Sequence, residues 1–158
     1  MSRTGLTVEF SGMEAVIKAL NAKALQVESL PDIKVGVKSG IAYPDGTPVE
    51  LVGLVHELGD EDLNIPERSY LRSTIDENRK EYNKDMMYII KRIFDGDSNA
   101  ISMVNLLGAK IEGDVKTKIT DLDEPELKDS TLKQRKGNSS NPLVDTSLLR
   151  RSIIYEAE

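Results

Sequence analysis

The sequence predicts an α+β fold, in which a small antiparallel or mixed β-sheet packs against several α-helices and a long polar C-terminal arm follows. Three observations predict it: short alternating apolar stretches, long stretches of helical periodicity, and a polar run after residue 120. We expect an α+β core domain at 1–120, an extended polar arm at 121–147, and a short helix with a terminal strand at 148–158. That strand is expected to return to the core or to a neighbouring subunit.

Composition narrows the possible functions. A chain of 158 residues is about one domain, and its aromatic content of 4% with no Trp leaves a thin core of Leu, Ile and Val. Proteins with thin cores are often stabilised by association. The absence of Cys excludes disulfides and fits a reducing cytoplasm. A net charge of −6 argues against general nucleic-acid binding, and no apolar run has the length of a membrane span or the form of a signal peptide.

The first 40 residues predict a strand, a helix and a second strand. Residues 6–10 alternate apolar and polar side chains, as a half-buried strand does. Ser11 and Glu14 form a capping box at the start of an amphipathic helix at 12–28. Alternation returns at 33–37 and predicts the second strand. The apolar stripe of the helix comprises Met13, Val16, Ile17, Leu20, Ala24 and Val27.

A second helix is predicted from Thr47, with Thr47 as N-cap, Pro48 at the first position and Glu50 at the third. Its run 49–58 is apolar almost all round, and Gly59 ends it. We therefore expect this helix to lie deep inside, between the sheet and the long helices. The side chains expected in the core are Leu51, Val52, Leu54, Val55 and Leu58.

Two long helices follow. Residues 73–94 are helical and highly charged, and Asp97 or Ser98 is expected to cap the next helix. Gly108 and Gly113 disfavour the helix by about 1 kcal/mol each relative to Ala, so we expect close packing of another helix at both points. The predicted buried positions are Ile75, Tyr82, Met86, Ile89, Ile90 and Ile93 in the first helix and Ile101, Val104, Leu107, Ile111, Val115 and Ile119 in the second.

The segment 121–145 is polar, and long irregular segments are usually functional or disordered. We expect it to be mobile in the free subunit and ordered on a neighbour. Asp145 or Thr146 is expected to cap a short helix at 147–151, and the chain end is prone to form a strand. Apolar side chains expected to insert into a partner are Leu127, Leu132, Leu143 and Val144. The basic residues Lys128, Lys133, Arg135 and Lys136 form a patch that is either solvated or docked on an acidic neighbour or DNA.

Catalytic motifs are missing from the sequence. His56 is the sole histidine, and a helical zinc pair needs a second His four residues on. We interpret His56 as a structural hydrogen-bonding residue and 60–62 as a solvated acidic loop. No phosphate-binding loop or nucleophile elbow is present, so we predict neither enzyme activity nor a cofactor. The alternative is a metal-dependent hydrolase or small-ligand-binding domain that uses His56 with Asp60, Glu61 and Asp62.

A family resemblance begins at residues 55–59, Val-His-Glu-Leu-Gly, and continues at 65–72, Ile-Pro-Glu-Arg-Ser-Tyr-Leu-Arg. This block resembles the "hEfGt … IPaRPFlR" signature of neck or tail-completion proteins of tailed bacteriophages. The sequence departs from that pattern at Leu58, where Phe is usual, and at Ser69, where Pro is usual. From the residues themselves we expect Arg68 and Arg72 to hold this crossing in place by pairing with carboxylates or helix C-terminal carbonyls.

Two further blocks follow in the family's order. Residues 107–119 are similar to its "lG … g … I" helix, and residues 130–137 with 142–155 are similar to "sTi.rKg … PLvdTG.L..Si.ye". Ser147 replaces the usual Gly and argues against a turn with positive φ there. The interaction and structural residues that the resemblance implies are His56, Glu57, Gly59, Pro66, Arg68, Tyr70, Arg72, Leu132, Arg135, Lys136, Pro142, Leu143, Asp145 and Thr146.

The resemblance implies a structural virion protein without enzymatic activity. Proteins of this family form a homo-oligomeric ring, most often a hexamer, in the neck between the head connector and the tail. The implied partners are a head-completion or portal-side connector protein and a tail terminator, tail tube or sheath protein. DNA would pass through the lumen without sequence-specific binding, and an acidic wall would repel it. The implied location is the virion, after synthesis in the host cytoplasm.

Overall fold

The computed structural model describes residues 12–126, Leu143 and residues 147–158, and it confirms the α+β class. The strand predicted at residues 6–10 and most of the predicted arm lie outside these residues. The elements in chain order are α1 Met13–Glu28, β1 Ile33–Val37, α2 Val49–Leu58, α3 Leu71–Phe94, α4 Ala100–Asp121, α5 Leu148–Arg151 and β2 Ile153–Ala157.

The described sheet is a single antiparallel pair. Ile33 lies opposite Ala157 and Val37 lies opposite Ile153, so the end of the chain returns to the first described strand as expected. A pair of five-residue strands is marginal alone and needs a helix beside it. That helix is α4, where the Tyr155 ring of β2 packs directly on Gly108.

Two buried clusters form the core, and α4 contributes to both. The first cluster joins α2, the second half of α4, α5 and β2, and contains Val49, Tyr70, Val115, Ile119, Leu143, Leu149 and Ile153. The second fills the space between α3 and α4, and contains Tyr82, Ile89, Ile93, Ala100, Val104, Leu107 and Ile111. Five of the six buried positions predicted on α4 are confirmed; Ile101 is exposed instead, as is Ile75 on α3.

The prediction for α2 was wrong about which face is buried. Leu51, Leu54 and Leu58 are each at least half exposed, and the buried residues are Val49, Gly53 and Glu57. The reason is Gly53: a Cβ there would lie 2.7 Å from the Tyr70 hydroxyl and 3.1 Å from Val37. The helix approaches its neighbours most closely along the face that lacks large side chains, and its leucines are left outside.

The apolar stripe of the amphipathic helix α1 is largely exposed in the described part of the chain. None of its residues is buried, and Met13, Val16, Ile17 and Leu20 are about half exposed. Only Val27 in its last turn, with Leu30 beyond it, packs against the second cluster. Gly12 occupies the N-cap with φ 99°, so the helix does not begin with the predicted capping box at Ser11.

Three other helix starts differ from the predictions. Pro48, not Thr47, precedes α2, because the Thr47 carbonyl accepts the Tyr43 N–H and the Thr47 N–H binds Asp45. Asn99 precedes α4, and the Asp97 carboxylate accepts its N–H. Ser147 precedes α5 with φ 58°, so the left-handed conformation that seemed disfavoured for Ser is present.

The prediction of close helix packing at both glycines of α4 was wrong: Gly108 is closely packed, but against a strand, and no described residue packs on Gly113. A Cβ at Gly108 would lie 2.9 Å from Cε2 of Tyr155, so the partner there is a strand residue and not a helix. No atom lies within 4 Å of a Cβ at Gly113, which faces solvent. Glycine is therefore needed for packing at position 108. At position 113 it only lowers the stability of the helix relative to Ala.

Candidate functional site

The α2–α3 junction, residues 55–72, contains the first block of the family resemblance. After α2, a loop is closed by two backbone hydrogen bonds of 2.8 Å between Asp60 and Ile65. The chain then crosses back over α2, where the Arg68 N–H donates to the His56 carbonyl at 2.7 Å. Gly59 makes this possible, because its φ is 75° and a Cβ there would lie 2.8 Å from the Glu67 nitrogen.

Glu57 of α2 caps the N-terminus of α3. Its side chain is almost fully buried and accepts the backbone N–H groups of Tyr70, Leu71 and Arg72 at 2.8, 2.9 and 3.0 Å. The first N–H groups of a helix have no partner within the helix, and a negative charge is favoured there by the helix dipole. One carboxylate therefore satisfies three donors and ties two helices together.

Ser69 completes this cap. Its hydroxyl donates to Glu57 at 2.7 Å and accepts the Ser73 N–H at 3.2 Å. The four N–H groups at the start of α3 are thus all satisfied. A proline at position 69, usual in the similar family, would have no side chain able to make these two bonds.

Two arginines brace the junction, and Arg72 alone has the kind of partner that was expected, since Arg68 binds carbonyls of the loop after α4 and not those of a helix C-terminus. Arg68 is buried and donates from Nε to the Pro125 carbonyl at 2.9 Å and from Nη2 to the Glu126 carbonyl at 3.2 Å. Arg72 is half exposed and pairs with Glu67 at 2.5 Å, with Glu57 at 3.9 Å. Arg68 thereby holds the start of the predicted arm, just beyond α4, against the junction.

Tyr70 is the buried aromatic residue of the junction. It is 1% exposed, and its hydroxyl lies against Gly53 of α2. Burial raises the pKa of its hydroxyl well above the ordinary value, and the charge of Glu57 and the nearby Tyr43 add to this effect. Tyr70 therefore stays neutral at physiological pH and acts as a core residue.

The acidic residues that follow His56 serve the loop or face solvent. The Asp60 carboxylate accepts the Leu63 N–H at 2.8 Å and so serves the loop, while Glu61 and Asp62 are exposed. In residues 12–126 and 147–158, no three His, Asp or Glu side chains are grouped as metal ligands. The metal-dependent hypothesis gains no support from these contacts and stays a prediction.

The remaining sequence-predicted site residues divide into three groups. Pro66 is exposed on the outside of the crossing. Leu143 is 5% exposed within the first core cluster, so the prediction that it inserts into a neighbour was wrong: it packs inside its own chain. The others lie outside the described residues, and they are Leu132, Arg135, Lys136, Pro142, Asp145 and Thr146.

Two carboxylates have roles that sequence reasoning missed. Glu57 was identified as a site residue, but its capping of α3 was not foreseen. The available signal was the start of α3, where Tyr70 occupies the N-cap and cannot serve as a short polar cap. Glu112 of α4 accepts the Tyr155 N–H of β2 at 3.0 Å, and no local pattern points to this contact.

Comparison of the chain with models of protein families, with curated proteins and with solved structures finds no match. The family resemblance therefore rests on the three blocks of residues quoted above. Over the part of the chain that the structure describes, no helix combines the length and apolar character needed to cross a membrane.

Proposed function

We propose that this protein is a structural, non-enzymatic subunit of the neck of a tailed bacteriophage virion. It forms a homo-oligomeric ring, a hexamer by the family resemblance, which joins the head connector to the tail. DNA passes through its lumen. The observation that carries the proposal is the α2–α3 junction, because its residues carry the resemblance and are occupied in holding the fold.

The contacts of Glu57 support a structural role for the signature. A catalytic carboxylate needs access to its substrate. The Glu57 side chain instead accepts four hydrogen bonds from the start of α3 and is 8% exposed. Arg68 is likewise buried against backbone carbonyls. The buried charged residues of the signature are therefore engaged in contacts within the fold. This supports a protein that functions by binding other proteins through its surface.

Exposed apolar side chains support contact with several partners. Large apolar residues are normally exposed singly, and their accumulation marks interaction surfaces. Here they occur on all four long helices, as a ring subunit with neighbours at its sides and further rings above and below would need. They are Met13, Val16, Ile17 and Leu20 on α1, Leu51, Leu54 and Leu58 on α2, Met87, Tyr88 and Phe94 on α3, and Ile101 and Leu106 on α4.

The test is a phage in which the gene for this protein carries an early stop codon, with the protein supplied from a plasmid as the control. We expect heads filled with DNA and separate tails to accumulate without joining, and complete particles to return with the plasmid. Antibodies against the protein should label the head–tail junction in electron micrographs. Normal tailed particles in the absence of the protein would overturn the proposal.

The alternative function, a metal-dependent hydrolase, is tested by His56→Ala. Such an enzyme would bind a divalent cation and lose it on this substitution. A chain that binds no cation before or after the substitution would remove the alternative.

A further inference from the structure

The outer edge of β1 has unpaired backbone groups. Asp32 and Glu158 exchange two hydrogen bonds, and the Lys38 N–H donates to the Ser152 carbonyl. In an antiparallel pair, hydrogen-bonded and non-bonded positions alternate. The N–H and C=O groups of Ile33, Val35 and Val37 therefore point away from β2, and in the described part of the chain no residue pairs with them.

The outer edge of β2 differs, because α4 covers it. The Tyr155 N–H points outward in the same way, and the Glu112 carboxylate accepts it at 3.0 Å. A charged side chain placed on an edge is one of the devices that prevent a further strand from pairing there. The sheet is therefore protected on one side and open on the other.

An apolar groove runs beside the open edge. Its volume is about 580 Å³, and β1 lines it while no residue of β2 does. We call this cavity the edge groove; its apolar lining is Ile33, Val35, Leu58, Leu71, Ile75 and Ile111, and the charged residues Glu57, Arg72, Asp76 and Arg79 line it as well. An open strand edge next to pockets for alternate side chains is the arrangement that binds an extended peptide by β-strand addition.

We propose that the edge groove receives residues 6–10 of a second copy of this chain, which add to β1 as a third strand. This segment lies outside the described residues, and its sequence alternates Leu6, Val8 and Phe10 with Thr7 and Glu9. The apolar set matches the groove side of β1. Lys34 on the solvent side of β1 and Lys38 just after the strand complement Glu9 in charge, although Lys34 already pairs with Glu158 at 3.0 Å.

The position of α1 favours a second copy over the same chain. Its 16 residues span about 24 Å, and within the described residues Val27, in its last turn, is the part of α1 that packs on a core cluster. Two residues, which reach about 7 Å, separate Phe10 from Met13. In sequence, residues 6–10 therefore precede the end of α1 that lies farther from β1, and the helix residues next to them are exposed. Giving a strand on one side and receiving one on the other is a head-to-tail contact, the type from which a ring forms when the rotation between successive subunits closes.

Cysteine cross-linking tests the strand addition directly, because the chain has no native Cys. A tagged Glu9→Cys chain is co-expressed with an untagged Lys34→Cys chain and then oxidised; Thr7→Cys replaces Glu9→Cys to cover the alternative register. The matched control is Glu156→Cys, which lies directly opposite Lys34 on the same exposed face but one strand farther away. We expect the tagged–untagged disulfide to form about tenfold faster with position 34, since disulfides need closely placed Cβ atoms.

A second measurement uses the groove itself. Ile75→Asp places a charge in the edge groove, and Met87→Asp places one on the same helix outside it; both side chains are already exposed. We expect Ile75→Asp to reduce the mass in solution to that of the 17.5 kDa monomer with unchanged circular dichroism, while Met87→Asp stays assembled. Equal masses for the two variants, or equal cross-linking at positions 34 and 156, would overturn the inference.

This inference rests on the proposed function and names the contact between successive ring subunits. The experiments nevertheless distinguish a failure of the strand addition from a failure of the neck function. A ring that cross-links equally at both positions would overturn the strand addition and leave the neck function standing. Selective cross-linking in a protein that phage particles do not need would support the strand addition and overturn the neck function.

Discussion

The α2–α3 junction and α1 differ in how their sequences relate to burial. The junction is rich in polar residues, yet it buries Glu57, Arg68 and Tyr70 and satisfies every donor at the start of α3. Helix α1 has a regular apolar stripe, of which only Val27 is partly buried, against the second cluster. Burial in this protein therefore follows the points where backbones approach most closely. Apolar periodicity alone does not locate it.

The largest effect is expected at the junction cap. Glu57→Ala leaves three backbone N–H groups and the Ser69 hydroxyl without their acceptor, so the free energy of unfolding should fall by about 3 kcal/mol. Glu57→Gln keeps one acceptor oxygen and should lose roughly half as much. Urea unfolding measures both. Equal, small losses below about 0.5 kcal/mol would show that α3 does not depend on this cap.

The two arginines should differ in how much they stabilise the fold, because Arg68 is buried and Arg72 is half exposed. Arg68→Gln withdraws two charge-assisted hydrogen bonds from the carbonyls of Pro125 and Glu126 and should cost about 2 kcal/mol. Arg72→Gln removes a half-exposed ion pair and should cost less than about 1 kcal/mol. Thermal unfolding of the single variants ranks them. The reverse order would mean that the exposed pair, and not the buried one, braces the junction.

The two glycines of α4 should respond with opposite signs. Gly108→Ala drives a Cβ into the Tyr155 ring and should destabilise by about 1–2 kcal/mol after the gain in helix propensity. Gly113→Ala meets no neighbour and should stabilise by about 1 kcal/mol. Urea midpoints of the two variants provide the measurement. A shift of the same sign in both would contradict the packing of β2 on α4.

A smaller, pH-dependent effect is expected at the α3–α4 turn. The Asn99 N–H, and then Arg92, hold the pKa of Asp97 below its ordinary value of 3.8. Because the ionised form is favoured in the folded state, its contribution to stability is complete above pH 3.8 and disappears as the pH falls through the lower folded-state pKa.

Asp97→Asn isolates this charge, because Asn keeps an oxygen that can accept the Asn99 N–H. The wild type should be more stable than the variant at pH 7, and the difference should vanish at about pH 2. Urea unfolding at both pH values measures it. A difference that persists unchanged in acid would assign the effect to the geometry of the turn and not to the charge.

The sequence predicted the positions of the helices and strands better than the contacts between them. Local periodicity located α1, β1, α2, α3 and α4 within about two residues, because helix and strand patterns are local properties. It also predicted the return of the chain end to the sheet. These features need no knowledge of which elements touch.

Apart from the local errors at the helix starts, the main failures concern contacts between residues distant in sequence. The exposure of Leu54 follows from Gly53 lying against Tyr70, and the role of Glu57 follows from a crossing 13 residues later. Leu143 is buried because α4 and α5 enclose it in the first core cluster. The site residues were identified through the family resemblance, but their chemistry required the approach of α2 to α3, which no local pattern encodes.

The smallest effect on stability is expected from a substitution on α1. It tests the contrast between α1 and the α2–α3 junction directly. Leu20→Ser removes an apolar side chain that is 52% exposed, so the stability of the isolated subunit should change by less than about 0.5 kcal/mol. The same substitution type at a buried α4 position, Leu107→Ser, should cost several kcal/mol, since Leu107 is 6% exposed and makes full core contacts.

The apolar stripe of α1 should contribute to stability only when subunits associate. If α1 lies against a neighbour when residues 6–10 pair with that neighbour's β1, Leu20→Ser should weaken assembly while leaving the melting temperature of the dilute monomer unchanged. Light scattering over a concentration series, with unfolding measured at the lowest concentration, separates these two effects. A loss of monomer stability as large as that of Leu107→Ser would show that α1 packs against its own chain, and the contrast between α1 and the junction would disappear.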